Sequence, residues 1–255
     1  MCGIVAYIGE KDAYPIIIEG LRRLEYRGYD SAGISILNGN IQTLKKKGKV
    51  QALVDAAADV NLVGTLGIGH TRWATHGKPD DINAHPHISG NTRLSLIHNG
   101  IIENYAILKK ALSELGHEFR SETDTEVLIH LIEEYQTRHS CELEEAVRLA
   151  LKKVIGAYAI VVIDSQDPNT IVGARKSSPL VLGIGENEYF LASDATPIIK
   201  YTNKVVYLND EEIVKISRNG TFSIKTIGNE LIQTPTIKEL DLKLAGYTKE
   251  QIDAQ

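Results

Sequence analysis

The order of secondary-structure signals along the chain constrains its fold more than any single motif. A first group of strand-like segments ends near residue 97, a helical block occupies residues 102–155, and a second group of short strand-like segments runs from residue 158 to residue 227. A doubly wound parallel sheet needs strands and helices in regular alternation, which this order lacks. We therefore predict an α+β fold in which helices pack on the faces of antiparallel sheets.

Local signals place the individual elements. Apolar residues recur at helical spacing in segment 14–24, and the turn residues at 38–40 predict a hairpin. Thr123 and Glu126 match a capping box, so a helix is expected to begin there. The other predicted elements are helices at 102–115 and 142–155, a turn at 167–169, and strands at 2–9, 31–37, 41–44, 65–74, 92–97, 158–164, 170–174, 180–185, 189–192, 205–208, 212–217 and 221–227.

Composition and charge exclude several classes of function. The chain has 255 residues, of which 43% are hydrophobic and 24% charged, as is typical of a globular protein with a sizeable core. The net charge is −5 and the basic run at residues 45–49 is short, so we expect no nucleic-acid partner. No apolar run approaches the roughly 18 residues of a membrane span, so no membrane association is expected. Two cysteines, Cys2 and Cys141, are too few for a disulfide framework; with no signal peptide they favour a cytoplasmic protein in which Cys141 is structural.

Cys2 immediately precedes the first predicted strand, and it would become the N-terminus if Met1 were removed. Its thiol and its α-amino group would then belong to one residue, and an α-amino group titrates near pH ~7.7–8.0. Such a residue supplies both a nucleophile and a base without a histidine. Most proteins with cysteine at position 2 make no such use of it, so the hypothesis depends on other residues.

Four histidines lie close together in the sequence: His70, His76, His85 and His87. Metal binding is one interpretation, but their spacing matches no standard zinc pattern and neither cysteine is near. We interpret them as hydrogen-bonding residues of loops and expect no metal. The glycine-rich signatures of nucleotide binding do not occur, so no cofactor is expected either.

Three further positions allow both a structural and a functional interpretation. Arg72 is either an exposed surface charge or a fork that binds a carboxylate through two hydrogen bonds. Asn99 and Gly100 form either a plain turn or a pair of N–H donors for an oxyanion. Asp124 is either a helix N-cap or an acceptor for a substrate ammonium group.

Several motifs taken together resemble one family, the class II glutamine amidotransferases, whose glutaminase domain is an N-terminal-nucleophile hydrolase. The segments that carry the resemblance are 2–5, 25–33, 70–77, 83–87, 98–104 and 121–126. Two of them look most like the branch of the family that supplies ammonia for glucosamine 6-phosphate synthesis from fructose 6-phosphate. The resemblance covers roughly residues 2–225 and implies a four-layer αββα sandwich of two antiparallel sheets.

The resemblance also implies catalytic roles. Cys2 would attack the side-chain amide of L-glutamine and form a thioester, while its own α-amino group moves the proton. Asn99 and the N–H group of Gly100 would form the oxyanion hole.

The glutamine-binding roles implied by the resemblance use both charges of a zwitterion. Arg72, helped by Thr75 and His76, would bind the α-carboxylate. Asp124 and the carbonyl of Gly100 would accept the α-ammonium group. The matched segments supply three further candidates: Trp73 on a loop that closes over glutamine, and, with a weaker case, Arg27 and His85.

The family resemblance implies a division of the chain and a set of partners. Residues 2–225 would be the glutaminase domain and residues 226–255 a connecting tail toward a sugar-phosphate isomerase domain, in an enzyme that could dimerise at full length. The tail is polar from about residue 233, has no strand signal and is predicted to hold a short helix around residues 238–244. The alternatives are a free-standing glutaminase or another amidotransferase subunit, a glutamine-binding module that retains Met1, and, more remotely, a metal-dependent hydrolase.

Overall fold

Fourteen strands form two stacked antiparallel sheets in a computed structural model that describes residues 2–74 and 77–240. In spatial order, the first sheet contains β14 (Lys238–Glu239), β11 (Lys204–Tyr207), β9 (Val181–Ile184), β10 (Tyr189–Ala192), β1 (Gly3–Ile8), β4 (Leu66–Arg72), β2 (Ser31–Asn38) and β3 (Asn40–Lys47). The second contains β13 (Thr221–Thr226), β12 (Glu212–Ser217), β8 (Asp167–Lys176), β7 (Gly156–Asp164), β6 (Leu94–Ile102) and β5 (His87–Ile88).

Helices cover the outer faces of both sheets. The first sheet carries α1 (Ala13–Leu24) and α2 (Val50–Ala57), and the second carries α3 (Tyr105–Glu114), α4 (Asp124–His139) and α5 (Leu143–Leu151). Three apolar layers result: one between the two sheets and one between each sheet and its helices. The predicted α+β fold, an αββα sandwich of two antiparallel sheets, is therefore confirmed. None of the helices within the described ranges is long and apolar enough to cross a membrane.

β1 is an interior strand of the first sheet, and this position fixes Cys2. Its side chains alternate between the inter-sheet core, which receives Ile4, and the layer beneath the helices, which receives Val5. Both faces are apolar, so every residue of the strand is buried. β1 pairs on one side with β4 and on the other with β10. Cys2 therefore lies at the strand end beside Arg72, the last residue of β4.

β6 extends beyond its predicted end and includes two of the selected site residues. The predicted strand ended at residue 97, whereas β6 continues through Asn99 and Gly100, which pair with Ala159 and Tyr158 of β7. Gly100 has φ +133°, a backbone conformation that favours glycine, and a Cβ there would collide with the carbonyl of Ala157. The interpretation of Asn99 and Gly100 as a plain turn is therefore wrong, because both residues lie within β6 and pair with β7.

Other helix and strand boundaries differ from the predictions where partners distant in sequence determine them. α5 ends at Leu151, short of the predicted residue 155, because Gly156 already begins β7. The segment 167–169, predicted as a turn, is the start of β8 and follows an irregularity in the pairing at Asp164. The tail contains strand β14, which pairs with β11, so the prediction of no strand there is wrong. The predicted helix at 238–244 is wrong at its first two residues, and from 241 onward it lies outside the described residues.

Candidate active site

A cavity of about 290 Å³ opens at the strand ends where Cys2 lies. It gathers eight of the ten residues that the sequence analysis selected: Cys2, Arg27, Arg72, Trp73, His85, Asn99, Gly100 and Asp124. The remaining two, Thr75 and His76, lie outside the described residues. Residues that were not selected also line the cavity, among them His98, Thr125 and Ser178.

The thiol of Cys2 is held by the backbone that follows β4. The N–H group of Trp73 donates to Sγ at 3.2 Å, and Sγ lies 3.7 Å from the carbonyl oxygen of Trp73. Burial raises the pKa of the Cys2 thiol, and the hydrogen bond from Trp73 only partly offsets this effect. The thiol is therefore protonated at neutral pH and needs a base before it can act as a nucleophile.

Asn99 is oriented by a buried histidine. Its side-chain nitrogen donates to the carbonyl of Cys2 at 2.9 Å, and its side-chain oxygen lies 2.9 Å from Nε2 of His70. Nε2 of His70 also faces the carbonyl of His98 at 3.1 Å. Because both partners are acceptors, Nε2 of His70 carries the proton and donates to them. Burial lowers the pKa of His70 to about 3, so this ring stays neutral and keeps the Asn99 amide directed at Cys2.

A second hydrogen-bonded chain runs beneath the cavity through Thr125. Nε2 of His85 lies 2.9 Å from the hydroxyl of Thr125, which in turn lies 2.8 Å from Nδ1 of His98. Nε2 of His98 faces the carbonyl of Ala157, which assigns the proton to that nitrogen and leaves Nδ1 as an acceptor. Burial lowers the pKa of both His85 and His98. The chain is therefore neutral, and it joins β6 to the first turn of α4.

Arg72 is buried, with a relative exposure of 4%, so the interpretation as an exposed surface charge is wrong. Its guanidinium donates to the carbonyls of Gly77 and Lys78 at 3.2 and 3.4 Å. Asp30 holds the adjacent backbone: its N–H group donates to the carbonyl of Arg72, and its carboxylate accepts from the N–H group of Ala74. Sequence reasoning missed this contact, because nothing in the local sequence shows that the segments around Asp30 and Ala74 meet.

Asp124 is the first residue of α4 and is buried, with 5% exposure. Thr123, not Asp124, is the N-cap, since the Thr123 hydroxyl accepts from the N–H group of Glu126. The N-cap interpretation of Asp124 is therefore wrong. One carboxylate oxygen of Asp124 accepts from the N–H group of Ile102 at 2.7 Å, which ties the start of α4 to the end of β6.

Trp73 and Arg27 also line the cavity. Trp73 is 49% exposed, and its ring meets Tyr29 edge to face with centroids 5.4 Å apart. Arg27 donates to the carbonyl of Ser193 and to the carboxylate of Asp194 at 3.3 and 3.4 Å. The exposed indole contrasts with the buried groups below it, and a large exposed ring of this kind is available to cover a bound ligand.

The cavity thus combines four chemical capacities. It offers a thiol, an amide donor beside that thiol, the guanidinium groups of Arg27 and Arg72, and the carboxylate of Asp124, all lining the same space. An N–H pair close to a thiol can stabilise the oxyanion of a tetrahedral intermediate. A guanidinium and a carboxylate at fixed positions select a zwitterion, because either charge left unmatched in a closed site is unfavourable.

Comparison with known proteins places the chain in a family. A family model described as "Glutamine amidotransferase domain" matches residues 40–233. Two curated relatives are glutamine–fructose-6-phosphate aminotransferases (isomerizing), from Bacteroides thetaiotaomicron with 55% identity and from Pyrococcus horikoshii with 48% identity. The matches cover 98% and 96% of this chain but 41% of each relative, so the chain spans less than half of their length.

Solved structures agree with this placement. The glutamine phosphoribosylpyrophosphate amidotransferase of B. subtilis, complexed with ADP and GMP, superposes with a TM-score of 0.77 and 26% identity over 90% of this chain and 50% of that one. A glutamine aminotransferase class-II domain protein from Silicibacter pomeroyi has the same fold, with a TM-score of 0.60 and 16% identity over 89% of this chain. The chain belongs to the glutamine amidotransferase domain family.

Proposed function

We propose that this chain hydrolyses the side-chain amide of L-glutamine to glutamate and ammonia through a thioester on Cys2. The observation that carries the proposal is the cavity in which Cys2 and the Asn99 amide meet between a buried arginine and a buried aspartate. Of the common amino acids, glutamine and asparagine combine an amide with two main-chain charges. Family membership favours glutamine.

The reaction needs a base, and Cys2 supplies one once Met1 is removed. The free α-amino group takes the thiol proton while Sγ attacks the amide carbon, and the carbonyl oxygen becomes an oxyanion. The second N–H of the Asn99 amide and the N–H of Gly100 stabilise that charge, since the first Asn99 N–H already binds the Cys2 carbonyl. The proton then passes to the departing nitrogen, ammonia leaves, and water hydrolyses the thioester to glutamate.

Substrate binding uses the two charged groups. Arg72 binds the α-carboxylate, with Thr75 and His76 as further candidates, and Asp124 and the Gly100 carbonyl accept the α-ammonium group. Trp73 closes over the bound glutamine, which keeps water from the thioester until ammonia has left. Arg27 and His85 support the cavity through the contacts already described.

The relatives support one use for the ammonia. The names of the curated relatives support a role in glucosamine 6-phosphate synthesis from fructose 6-phosphate, with ammonia passing to a sugar-phosphate isomerase domain. Residues 2–225 would then be the glutaminase domain and residues 226–255 the connection to that partner. The two free cysteines support a cytoplasmic setting. Dimer formation stays a prediction.

The proposal is tested by intact mass before and after incubation with an electrophilic glutamine analogue. We expect a protein without Met1 that gains one adduct on Cys2, together with ammonia release from glutamine. Cys2→Ala should lose both, while the matched Cys141→Ala variant should keep both. A protein that keeps Met1 and gains no adduct would contradict hydrolysis and favour a glutamine-binding module.

A further inference from the structure

A second cavity, of about 520 Å³, lies on the helical side of the second sheet and shares no lining residue with the Cys2 cavity. Its walls are the segment after α3, one side of α4 and the turn between β5 and β6. Three side chains converge at this place: His117 from the segment after α3, and His130 and Glu133 from α4. We call them the His-His-Glu cluster.

The donor atoms of the His-His-Glu cluster form a nearly equilateral triangle. The two Nδ1 atoms of His117 and His130 lie 3.1 Å apart, and Oε2 of Glu133 lies 3.6 Å from the first and 3.3 Å from the second. A tetrahedral zinc ion with bonds of about 2.0–2.1 Å separates its ligands by roughly 3.3–3.4 Å. A triangle with the observed edges leaves a point about 2 Å from all three atoms, which is the bonding distance of Zn²⁺ to nitrogen and oxygen ligands.

The far side of each imidazole faces a carboxylate. Nε2 of His117 lies 3.2 Å from Oε2 of Glu134, and Nε2 of His130 lies 3.9 Å from Oε1 of Glu126. Metal-binding histidines commonly direct their second ring nitrogen at a carboxylate or carbonyl, which fixes the tautomer and the ring orientation. Both histidines of the cluster have this surrounding, so their Nδ1 lone pairs are directed inward.

The third ligand is also held in place. The carboxylate of Glu133 accepts from the N–H groups of Gly90 and Asn91 at 3.0 and 2.7 Å. His130 is 2% exposed and Glu133 is 7% exposed, so the cluster is largely withdrawn from solvent while still lining the cavity. The cavity admits a water molecule or another small ligand as a fourth donor.

We propose that His117, His130 and Glu133 bind one divalent transition-metal ion of the zinc class, with the fourth position open to the cavity. Two imidazole nitrogens and one carboxylate oxygen in tetrahedral spacing suit Zn²⁺ among the common divalent ions. The sequence analysis expected no metal because it examined only the four histidines between residues 70 and 87. Those that the structure describes, His70, His85 and His87, are hydrogen-bonded elsewhere. The cluster residues are separated in sequence and match no standard spacing, so only the fold reveals them.

The proposed ion would connect three parts of the structure. It would link α4 to the segment after α3 directly, and to the β5–β6 turn through the backbone bonds of Glu133. Without a metal, one histidine must donate its Nδ1 proton to the other, since the two atoms lie at hydrogen-bond distance. The alternative is therefore a shared proton, and the experiment has to separate the two.

The test is titration of the metal-free chain with Zn²⁺ by calorimetry and with Co²⁺ by visible absorption. We expect one equivalent to bind with the d–d absorption of tetrahedral Co²⁺, without the sulfur charge-transfer band that binding to Cys2 would give. A hundredfold excess of Zn²⁺ over Kd should raise the unfolding temperature by about 5–10 °C. A Cys2→Ala variant should bind the same single equivalent.

Metal binding by single-residue variants tests each proposed ligand. His117→Ala should abolish stoichiometric binding, and Glu134→Gln, which removes the carboxylate behind His117, should weaken it roughly 10–100-fold. His139→Ala, an exposed histidine on the same helix, should bind as the unaltered chain does. If His117→Ala fails to fold, Glu133→Gln provides a second test of the site, because glutamine keeps the size of the glutamate side chain. Absence of binding, or binding that survives His117→Ala and Glu133→Gln, would overturn the metal site.

Discussion

At the scale of single residues, the local sequence predicted residues that line the cavity but not the residues that orient them. Cys2, Asn99 and Asp124 were selected from the chain alone, and the structure brings all three to one cavity. The partners that orient them were not predicted. His70 lies 29 positions from Asn99, and Asp30 lies 44 positions from Ala74, so no local pattern relates them. Long-range pairs of this kind are properties of the fold.

Arg72 offers a prediction about substrate affinity. A lysine at this position keeps the charge but presents one ammonium in place of the planar fork, so it cannot bind a carboxylate through two parallel hydrogen bonds. We expect Arg72→Lys to raise the KM for glutamine by tenfold or more while kcat changes less. Steady-state ammonia release measures both constants. An unchanged KM would place the carboxylate-binding group elsewhere.

Gly100 offers a prediction about stability. Gly100→Ala introduces a Cβ that collides with the carbonyl of Ala157, at a backbone angle of φ +133° that alanine disfavours. We expect a loss of at least about 1–3 kcal/mol in the free energy of unfolding, measured by urea denaturation. Gly39→Ala is the matched control, because Gly39 also has positive φ (71°) but a Cβ added there would meet no atom within 4 Å. Equal losses in the two variants would show that the collision has no effect.

At the scale of elements, α4 contributes residues both to the Cys2 cavity and to the His-His-Glu cluster. Its first turn contributes Asp124 and Thr125 to the Cys2 cavity, and its second and third turns contribute His130 and Glu133 to the His-His-Glu cluster. The start of α4 was predicted correctly because a cap is local: Thr123 binds the N–H group three residues ahead. The end of β6 was not, because its last residues are held by β7, more than fifty positions away.

The N-cap of α4 provides a prediction about stability at the scale of elements. The hydroxyl of Thr123 accepts from the N–H group of Glu126 and also contacts Nε2 of His87 at 3.0 Å. Thr123→Ala should lower the free energy of unfolding by about 1–2 kcal/mol, whereas Thr123→Ser keeps the hydroxyl and should lose much less. Chemical denaturation measures both variants. Because the cap positions Asp124, Thr123→Ala should also raise the KM for glutamine; a change in stability with an unaltered KM would separate the cap from the site.

At the scale of the whole molecule, the fold class could be predicted from the order of strands and helices. The sandwich follows from two groups of antiparallel strands that each have one apolar face to bury against the other. The strand order within each sheet could not be predicted, because it depends on pairings between distant segments, such as β1 with β10. The polar tail strand β14 was missed for the same reason, since it is held by its backbone bonds to β11 and not by apolar side chains.

The buried histidines give a prediction about acid stability. Burial lowers the pKa of His70, His85, His87 and His98 below the usual value near 6.5. Between the folded and unfolded pKa values the unfolded chain binds more protons, so the free energy of unfolding must fall as the pH drops below about 6.5. Each such histidine contributes a slope of up to about 1.4 kcal/mol per pH unit.

The contribution of one histidine can be isolated by replacement. His85→Gln keeps an N–H donor for Thr125 but removes the titration, so its free energy of unfolding should fall less steeply between pH 7 and pH 5. The exposed His139→Gln variant should follow the unaltered chain. Urea denaturation at several pH values provides the measurement. Parallel curves for His85→Gln and the unaltered chain would mean that His85 is not held neutral.

The interior position of β1 also affects how long this strand stays exposed while the chain is being synthesised. Val5 pairs with Ala192, so β1 is synthesised well before one of its two partner strands. At roughly 5–20 residues per second, that interval lasts about 10–40 s. During it an apolar segment and the Cys2 thiol are open to chaperones, oxidants and the enzymes that trim nascent chains. N-terminal processing therefore has its best access before the strand is enclosed between its two neighbours.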